Sequence, residues 1–250
     1  MTVRTELLDG ILVITLDRQE RMNALPPSMA EEIAAAWQRA RDDGDVRVTI
    51  FTGAGDRAFC SGMDLSTADE LEGMTEPPPL GPLENDLWKP VIVAVNGVCA
   101  GAGLHFVAEA DIAIAASHAT FVDPHVTVGQ VSAYEPILLS RRIPFGAVAR
   151  LSLLGRAERI DAETARSLGL VSEVMEGSVL MARAMELAEV LKANSPAAMI
   201  GTKKALWMGL EHGLSGALVE GWKLLTNHWD HPDASEGPRA FVEKRPPRWQ

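Results

Sequence analysis

Cysteine is scarce: Cys60 and Cys99 are the whole complement. A disulfide-stapled scaffold needs more, and the count suits a reduced, cytoplasmic protein in which both act as small packing residues. Positive charge is also in short supply, with 23 Lys and Arg against 34 Asp and Glu and a formal charge of −11. Nonspecific nucleic-acid binding requires a basic footprint, so no nucleic-acid partner is expected. An anionic small ligand held by a local basic cluster stays compatible with that balance. No apolar run approaches the ~18–20 residues of a membrane span, and the N-terminus lacks a signal-peptide core and cleavage site. A soluble protein without a membrane partner is the expectation. What is present is ample for a core: 250 residues, 47% hydrophobic and 23% charged, enough for one large or two small domains.

The stretch "TELLDGILVITLDR" reads as a hairpin turning at Asp9-Gly10. A helix should follow Pro26-Pro27, with Ser28 as N-cap and Glu31 completing a capping box. "VRVTIFTG" and "KPVIVAVNG" read as buried strands, "RAFCSGMDL" as a short extended segment, and residues 66–87, centred on "EPPPLGP", as a mobile loop. "AGLHFVAEA" reads as a helix, and "DIAIAAS" and "ATFVDP" as strands. The remainder is expected to be helical over about 135–155, 161–168, 178–193, 195–210 and 213–229. Strands alternating with helices, then helices alone, point to an α/β core over 1–190 and a C-terminal helical region over 191–250.

Two segments echo each other. "FCSGMDL" (59–65) and "VCAGAGL" (98–104) each follow a buried strand with an apolar residue, Cys, a small residue and Gly. Ordinary turn chemistry can produce such a pair. Two successive β-β-α turns presenting paired N–H donors would produce it too, and such a pair is the essential part of an oxyanion hole.

At these residues the chain resembles the crotonase (enoyl-CoA hydratase/isomerase) superfamily. Further matching pieces are "RMNAL" (21–25), "KPVIVAVNGVCAGAGL" (89–104), "DIAIAASHATF" (111–121), "LLGRAERIDAETARSLGLVSEV" (153–174), "SPAAMIGTKKAL" (195–206) and "DASEGPRAFVEKRPPRW" (233–249), in the family's order. The resemblance implies an α/β crotonase-like spiral of β-β-α repeats with a C-terminal helical subdomain, assembled as a homotrimer or a dimer of trimers. It implies an acyl-CoA thioester substrate bound in a bent form, with coenzyme A entering only as part of the substrate and no other cofactor. The hole donors carry over to the backbone N–H groups of Met63 and Ala102, where the family most often has Gly at the second position. Asp64, Leu65 and Ser66 fall where the family lines thioester and pantetheine, and Met22 and Ala24 where the chain passes the adenine. Lys203, Lys204 and Lys244 are candidates for CoA phosphates or simply solvated.

The resemblance breaks at the proton-transfer positions. Typical hydratases hold the attacking water between two glutamates, and the alignment puts His105 at the first position and His125 at the second. His105 lies three residues beyond Ala102, so a helix would put both on one face. A lone buried histidine is ordinarily structural, but two at both proton-transfer positions favour catalysis. No third ligand with a recognisable spacing accompanies them, so no metal is expected. Glu135, ten residues after His125 at a helix start, is either a helix-terminal charge or the carboxylate that orients or charges His125. His118, His212, His228 and His231 read as surface or interface residues, and Trp222 and Trp229 as a packing stripe. Three readings stay open: a lyase or isomerase using His105 and His125 as acid and base; a hydrolase attacking a β-dicarbonyl carbon with water activated by His125; and a non-catalytic acyl-CoA binding protein.

Overall fold

The computed structural model describes residues 2–67 and 78–250, so residues 68–77 of the loop expected over 66–87 lie outside the described residues. β1 (Val3–Leu8) and β2 (Ile11–Leu16) form the expected hairpin, paired from Val3↔Leu16 to Leu8↔Ile11. Asp9 and Gly10 at its tip have φ of 45° and 82°, the two positive values a type I′ turn requires. α1 (Met29–Asp42) follows the two prolines, but the expected capping box is not made. Ser28 is already helical, at φ −60° and ψ −22°, and its side chain caps nothing. The carbonyls of Pro26 and Pro27 accept from the N–H groups of Met29 and Ala30, so those first-turn donors are satisfied without a serine hydroxyl.

From here the chain winds as a spiral that gives one strand to each of two sheets per turn. β3 (Val48–Gly53), β5 (Val91–Val95), β7 (Ile112–Ala116) and β10 (Glu173–Met175) run parallel in a six-stranded sheet of order β1-β2-β3-β5-β7-β10. β4 (Ala58–Cys60), β6 (Val98–Ala100) and β8 (Thr120–Val122) run parallel in a second sheet, closed by antiparallel β9 (Ile160–Asp161). Parallel strands covered on both faces need unbroken apolar runs, and every residue of β3 and β5 is buried. α2 (Gly103–Glu109) leaves the second turn of the spiral and is buried along its whole length. Phe106 of α2 packs on Phe51 of β3 at 4.5 Å between ring centroids, and Phe51 stacks in turn on Trp37 of α1 at 4.9 Å. The Trp37 indole donates to the Leu80 carbonyl at 2.8 Å. That bond, with the burial of Leu80, Asn85 and Leu87, holds residues 80–87 against the core rather than leaving them loose.

Past β8 the chain is not purely helical, because β9 and β10 return to the sheets. The helix expected over 135–155 is two helices, α3 (Tyr134–Leu139) and α4 (Phe145–Leu154). Pro144 sits between them and lacks the N–H a continuous helix would use. α5 (Ala162–Leu168) is capped by Asp161, and α6 (Gly177–Lys192) packs on β3, β5 and β7. α7 (Pro196–Glu211) and α8 (Leu214–His228) pack on each other, and α9 (Pro232–Glu243), unanticipated, is tied back by a 2.5 Å Ser195–Asp233 hydrogen bond. Among the described residues no helix is long and apolar enough to cross a membrane.

The turns after β4 and β6 touch through their backbones. A Cβ on Gly103 would stand 2.8 Å from the Cys60 carbonyl oxygen, and one on Gly62 (φ 92°) 3.0 Å from that of Ala100. A Gly103→Ala variant is therefore expected to lose ~1–3 kcal/mol by overpacking, read as a lower urea midpoint at unchanged slope.

Candidate active site

The same contact aims two backbone donors. Leu25 and Met63 form a parallel bridge, in which Leu25 N–H donates to Gly62 and Asp64 N–H donates to Leu25. That register uses the groups on either side of Met63 and turns its own N–H the other way. Ala102 precedes the first residue of α2, where a backbone N–H has no intrahelical acceptor. Among the described residues neither N–H donates a hydrogen bond. A Cβ on Gly62 would lie 3.6 Å from Ala102 N, so the two turns are in contact, and Met63 and Ala102 line one chamber of about 180 Å³.

His105, His125 and Glu135 line that same chamber. A larger cleft of about 590 Å³ adjoins it, sharing Met63 and His125 and bordered by Leu65, Gly101 and Arg156. His125 opens a short 3₁₀ turn (His125–Val128) directly after Pro124. Its ring approaches the turn after β6, with Cε1 3.4 Å from where a Gly101 Cβ would be. Its Nδ1 lies 2.6 Å from Asp123 Oδ1, while Ser132 donates to Asp123 Oδ2 at 2.6 Å. Burial would raise the Asp123 pKa, but the hydrogen bonds from His125 and Ser132 outweigh it and hold the carboxyl below its ordinary value. An ionised Asp123 accepts Nδ1–H, and that network assigns the lone pair of the neutral ring to Nε2. The hydrogen bond to Asp123 raises the His125 pKa above its usual value, against burial and with help from the charge of Glu135.

This corrects half of one expectation, the orienting role given to Glu135; its charge does help to raise the His125 pKa. Glu135 is buried at 7% exposure beside both imidazoles, yet no hydrogen bond joins it to His125; the orienting carboxylate is Asp123. The signal was local: an Asp two residues ahead of His125, flanking proline, folds back as an Asx turn whose Oδ1 also accepts His125 N–H at 3.3 Å.

His105 has its own carboxylate. A helix buried all round cannot leave a Glu and a His unpaired, and i,i+4 spacing joins His105 Nε2 to Glu109 Oε1 at 3.1 Å. Glu84 Oε2 approaches the same nitrogen at 3.5 Å. Burial disfavours the imidazolium, but the hydrogen bond to Glu109 and the charges of Glu109, Glu84 and Glu135 prevail and raise the His105 pKa. Sequence spacing offered no third ligand near the histidines, whereas the fold gathers Glu84, His105 and Glu109 within 4.8 Å of one another. Protein donors already engage the two glutamates: Leu83 N–H donates to Glu109 Oε2 at 2.9 Å and Gly81 N–H to Glu84 Oε2 at 3.0 Å. Tyr134, also unanticipated, stacks on His105 at 6.4 Å.

The remaining expected contacts divide. Leu65 borders the larger cleft. Asp64 is paired with Arg18 at 3.2 Å and accepts the Ser66 hydroxyl at 2.6 Å, so both side chains are engaged internally. The Met22 carbonyl accepts from Ser61 N–H and the Ala24 carbonyl from Arg18 at 2.6 Å; neither residue borders the two cavities. Lys203 is buried, held by Asp111 at 2.8 Å and by the Lys89 carbonyl, which removes it as a phosphate ligand. Lys204 lies over the Trp88 ring at 5.3 Å.

Comparison with known proteins agrees with this architecture. The family model described as enoyl-CoA hydratase/isomerase matches residues 6–250. The chain is 34% identical to (E)-benzylidenesuccinyl-CoA hydratase of Thauera aromatica, over 100% of this chain and 99% of that protein. It is 34% identical to carnitinyl-CoA dehydratase of Proteus mirabilis, over 96% and 95%. Among solved structures it superposes on an enoyl-CoA hydratase/isomerase from Mycobacterium paratuberculosis with a TM-score of 0.92 and 42% identity, covering 100% of this chain and 98% of that one.

The raised His125 pKa rests chiefly on Asp123, which gives a direct check. NMR titration of the His125 ring should place its midpoint above about 6.5, and Asp123→Asn should lower it, since the stabilised imidazolium loses its anion.

Proposed function

The chain belongs to the enoyl-CoA hydratase/isomerase family of the crotonase superfamily, and on that premise we propose that it is a CoA-thioester lyase of the hydratase or dehydratase type in which two histidines replace the usual glutamates. The observation that carries this reading is the single chamber bordered by Met63, Ala102, His105 and His125. The thioester carbonyl oxygen accepts the Met63 and Ala102 N–H groups, which stabilise the charge that grows on it as an enolate forms. His125 Nε2 takes a proton from water as the water oxygen bonds C3. His105, protonated and steadied by Glu109, supplies a proton to C2; dehydration is the reverse. Leu65 and the larger cleft take the pantetheine, with Asp64 and Ser66 bracing that wall and Met22 and Ala24 beside the adenine. The two relatives compared above by sequence are a hydratase and a dehydratase, which supports this direction over isomerisation. No other cofactor is needed for these steps.

A second reading is favoured by the His125–Asp123 pair: a water activated there attacks a β-dicarbonyl carbon and cleaves a carbon–carbon bond. The mass of the product separates the two, since hydration adds water to one molecule and hydrolysis yields two fragments. With the true thioester, found from a panel, His125→Ala should reduce turnover by about 100-fold or more, while calorimetric CoA-thioester binding persists. Unchanged turnover would remove the base assignment. Because the base must be neutral and its pKa is raised, kcat/KM should fall on the acid side with a midpoint above about 6.5. Crotonyl-CoA hydration should be slow beside a glutamate-bearing relative.

We place the functional division at 1–190 for the acyl-CoA-binding core and 191–250 for a helical assembly region. Leu206, Leu214, Leu218, Trp222 and Trp229 all stand exposed there, Trp222 at 59%. An apolar face of that kind marks a protein interface, and it supports a homotrimer or dimer of trimers. Trp222→Asp should shift the sedimentation coefficient toward a monomer. The free, buried thiols of Cys60 and Cys99 support a reducing, cytoplasmic compartment.

A further inference from the structure

One carboxylate in the acyl chamber is left over. His125 is matched by Asp123 and His105 by Glu109, each imidazole with its own hydrogen-bonded acid. Glu84 is engaged by Gly81 N–H and faces His105. Glu135 borders the chamber at 7% exposure, and among the described residues nothing donates a hydrogen bond to it or pairs with it. Among the described residues the fully enclosed side-chain atoms without a partner lie elsewhere, at Arg47, Thr49 and Ser152, so the Glu135 oxygens open on the chamber. No Lys or Arg borders the chamber among the described residues, and residues 68–77 contain no Lys, Arg or His. Each imidazole has its own acid, so Glu135 adds to the chamber wall a negative charge that no Lys or Arg bordering it offsets.

We propose that the chamber selects a thioester whose acyl group ends in a positively charged group and disfavours one ending in a carboxylate, with Glu135 as the specificity-determining residue. Tyr134, half-turned to solvent beside His105, adds an aromatic face that suits a cation and repels an anion. The inference rests on the thioester reading given above and adds the charge of the acyl terminus to it.

Calorimetry with three unreactive, saturated thioesters tests both and keeps them apart: 4-(trimethylammonio)butyryl-CoA, its neutral carbon isostere 5,5-dimethylhexanoyl-CoA, and glutaryl-CoA. The wild-type protein should bind the cation about tenfold or more tighter than the isostere, the order of effect of one opposite charge at reduced dielectric, and glutaryl-CoA more weakly than either. Glu135→Gln, nearly isosteric, should bring the cation and the isostere within about threefold of each other and leave the isostere's own affinity unchanged. Equal wild-type affinities would overturn the charge selection while leaving the thioester reading intact. A Glu135→Gln protein that weakens all three alike, or that only shifts the pH profile, would make Glu135 an electrostatic support of the histidines and overturn it as well. Binding of none of the three would overturn the thioester reading and this inference together. The wild-type comparison needs no variant, so a folding defect in Glu135→Gln cannot hide the answer.

Discussion

The backbone contact between the turn after β4 and the turn after β6 is the constraint on which the site depends. Gly62 and Gly103 leave no volume for a side chain against the carbonyls of Ala100 and Cys60. Because the turns meet there, the N–H groups of Met63 and Ala102 come to one chamber, and α2 starts at the chamber wall. The direction of α2 then decides what His105 can reach. Parallel strands β4 and β6, paired at Cys60↔Cys99, hold the two turns in step, and the small cysteines beneath them keep the layers close. Burial pushes the Cys60 thiol up to about 12, which suits packing and not nucleophilic attack.

Electrostatics follow from the same geometry. A helix sunk entirely in the core brings His105 and Glu109 out of water together, and only their mutual hydrogen bond makes that tolerable. His125 stands at the edge between chamber and cleft, where its ring is half-buried and Asp123 behind it is fully enclosed. One imidazole is thus locked into the protein interior and the other faces the shared wall of two cavities. This asymmetry suits an acid held by its carboxylate and a base that meets solvent, and it gives two like side chains unlike surroundings.

The peripheral elements serve this arrangement at a distance. The Trp37 indole, fixed by the Phe51–Phe106 stack, holds the Leu80 carbonyl, and the segment that begins there delivers Glu84 and the Leu83 N–H to His105 and Glu109. Arg18 ties Asp64 and the Ala24 carbonyl into one strut next in sequence to Met63 and Leu65, which border the larger cleft. Residues in hydrogen-bonding reach of a ligand-sized cavity are, in several cases, already spent on the protein itself.

Much of this was legible in the chain. Alternating apolar residues around Asp9-Gly10 specify a hairpin, unbroken runs such as "VIVAV" specify strands covered on both faces, and the repeated Cys–small–Gly turns mark the paired donors. These are local properties: side-chain period, turn chemistry and spacing along one element. Proline read as a helix start at Pro26 was right, yet its own carbonyls replaced the serine cap, because a single 3₁₀ turn met the same donors. Pro144 interrupted a helix whose apolar pattern ran through it. The partners of the histidines belong to a different class. That His125 leans on Asp123 and not on Glu135 depends on a backbone fold-back two residues long. That Glu84 meets His105 depends on where a distant segment is docked, and that Glu135 shares the chamber with both imidazoles yet bonds to neither depends on how that segment, α2 and α3 are stacked. Sequence by itself determined the core strands, most of the helices and which side chains have the chemistry. Only the stacking of successive turns of the spiral decided which charges meet, because pairing across elements is fixed by three-dimensional distance and burial, and neither is encoded in local spacing.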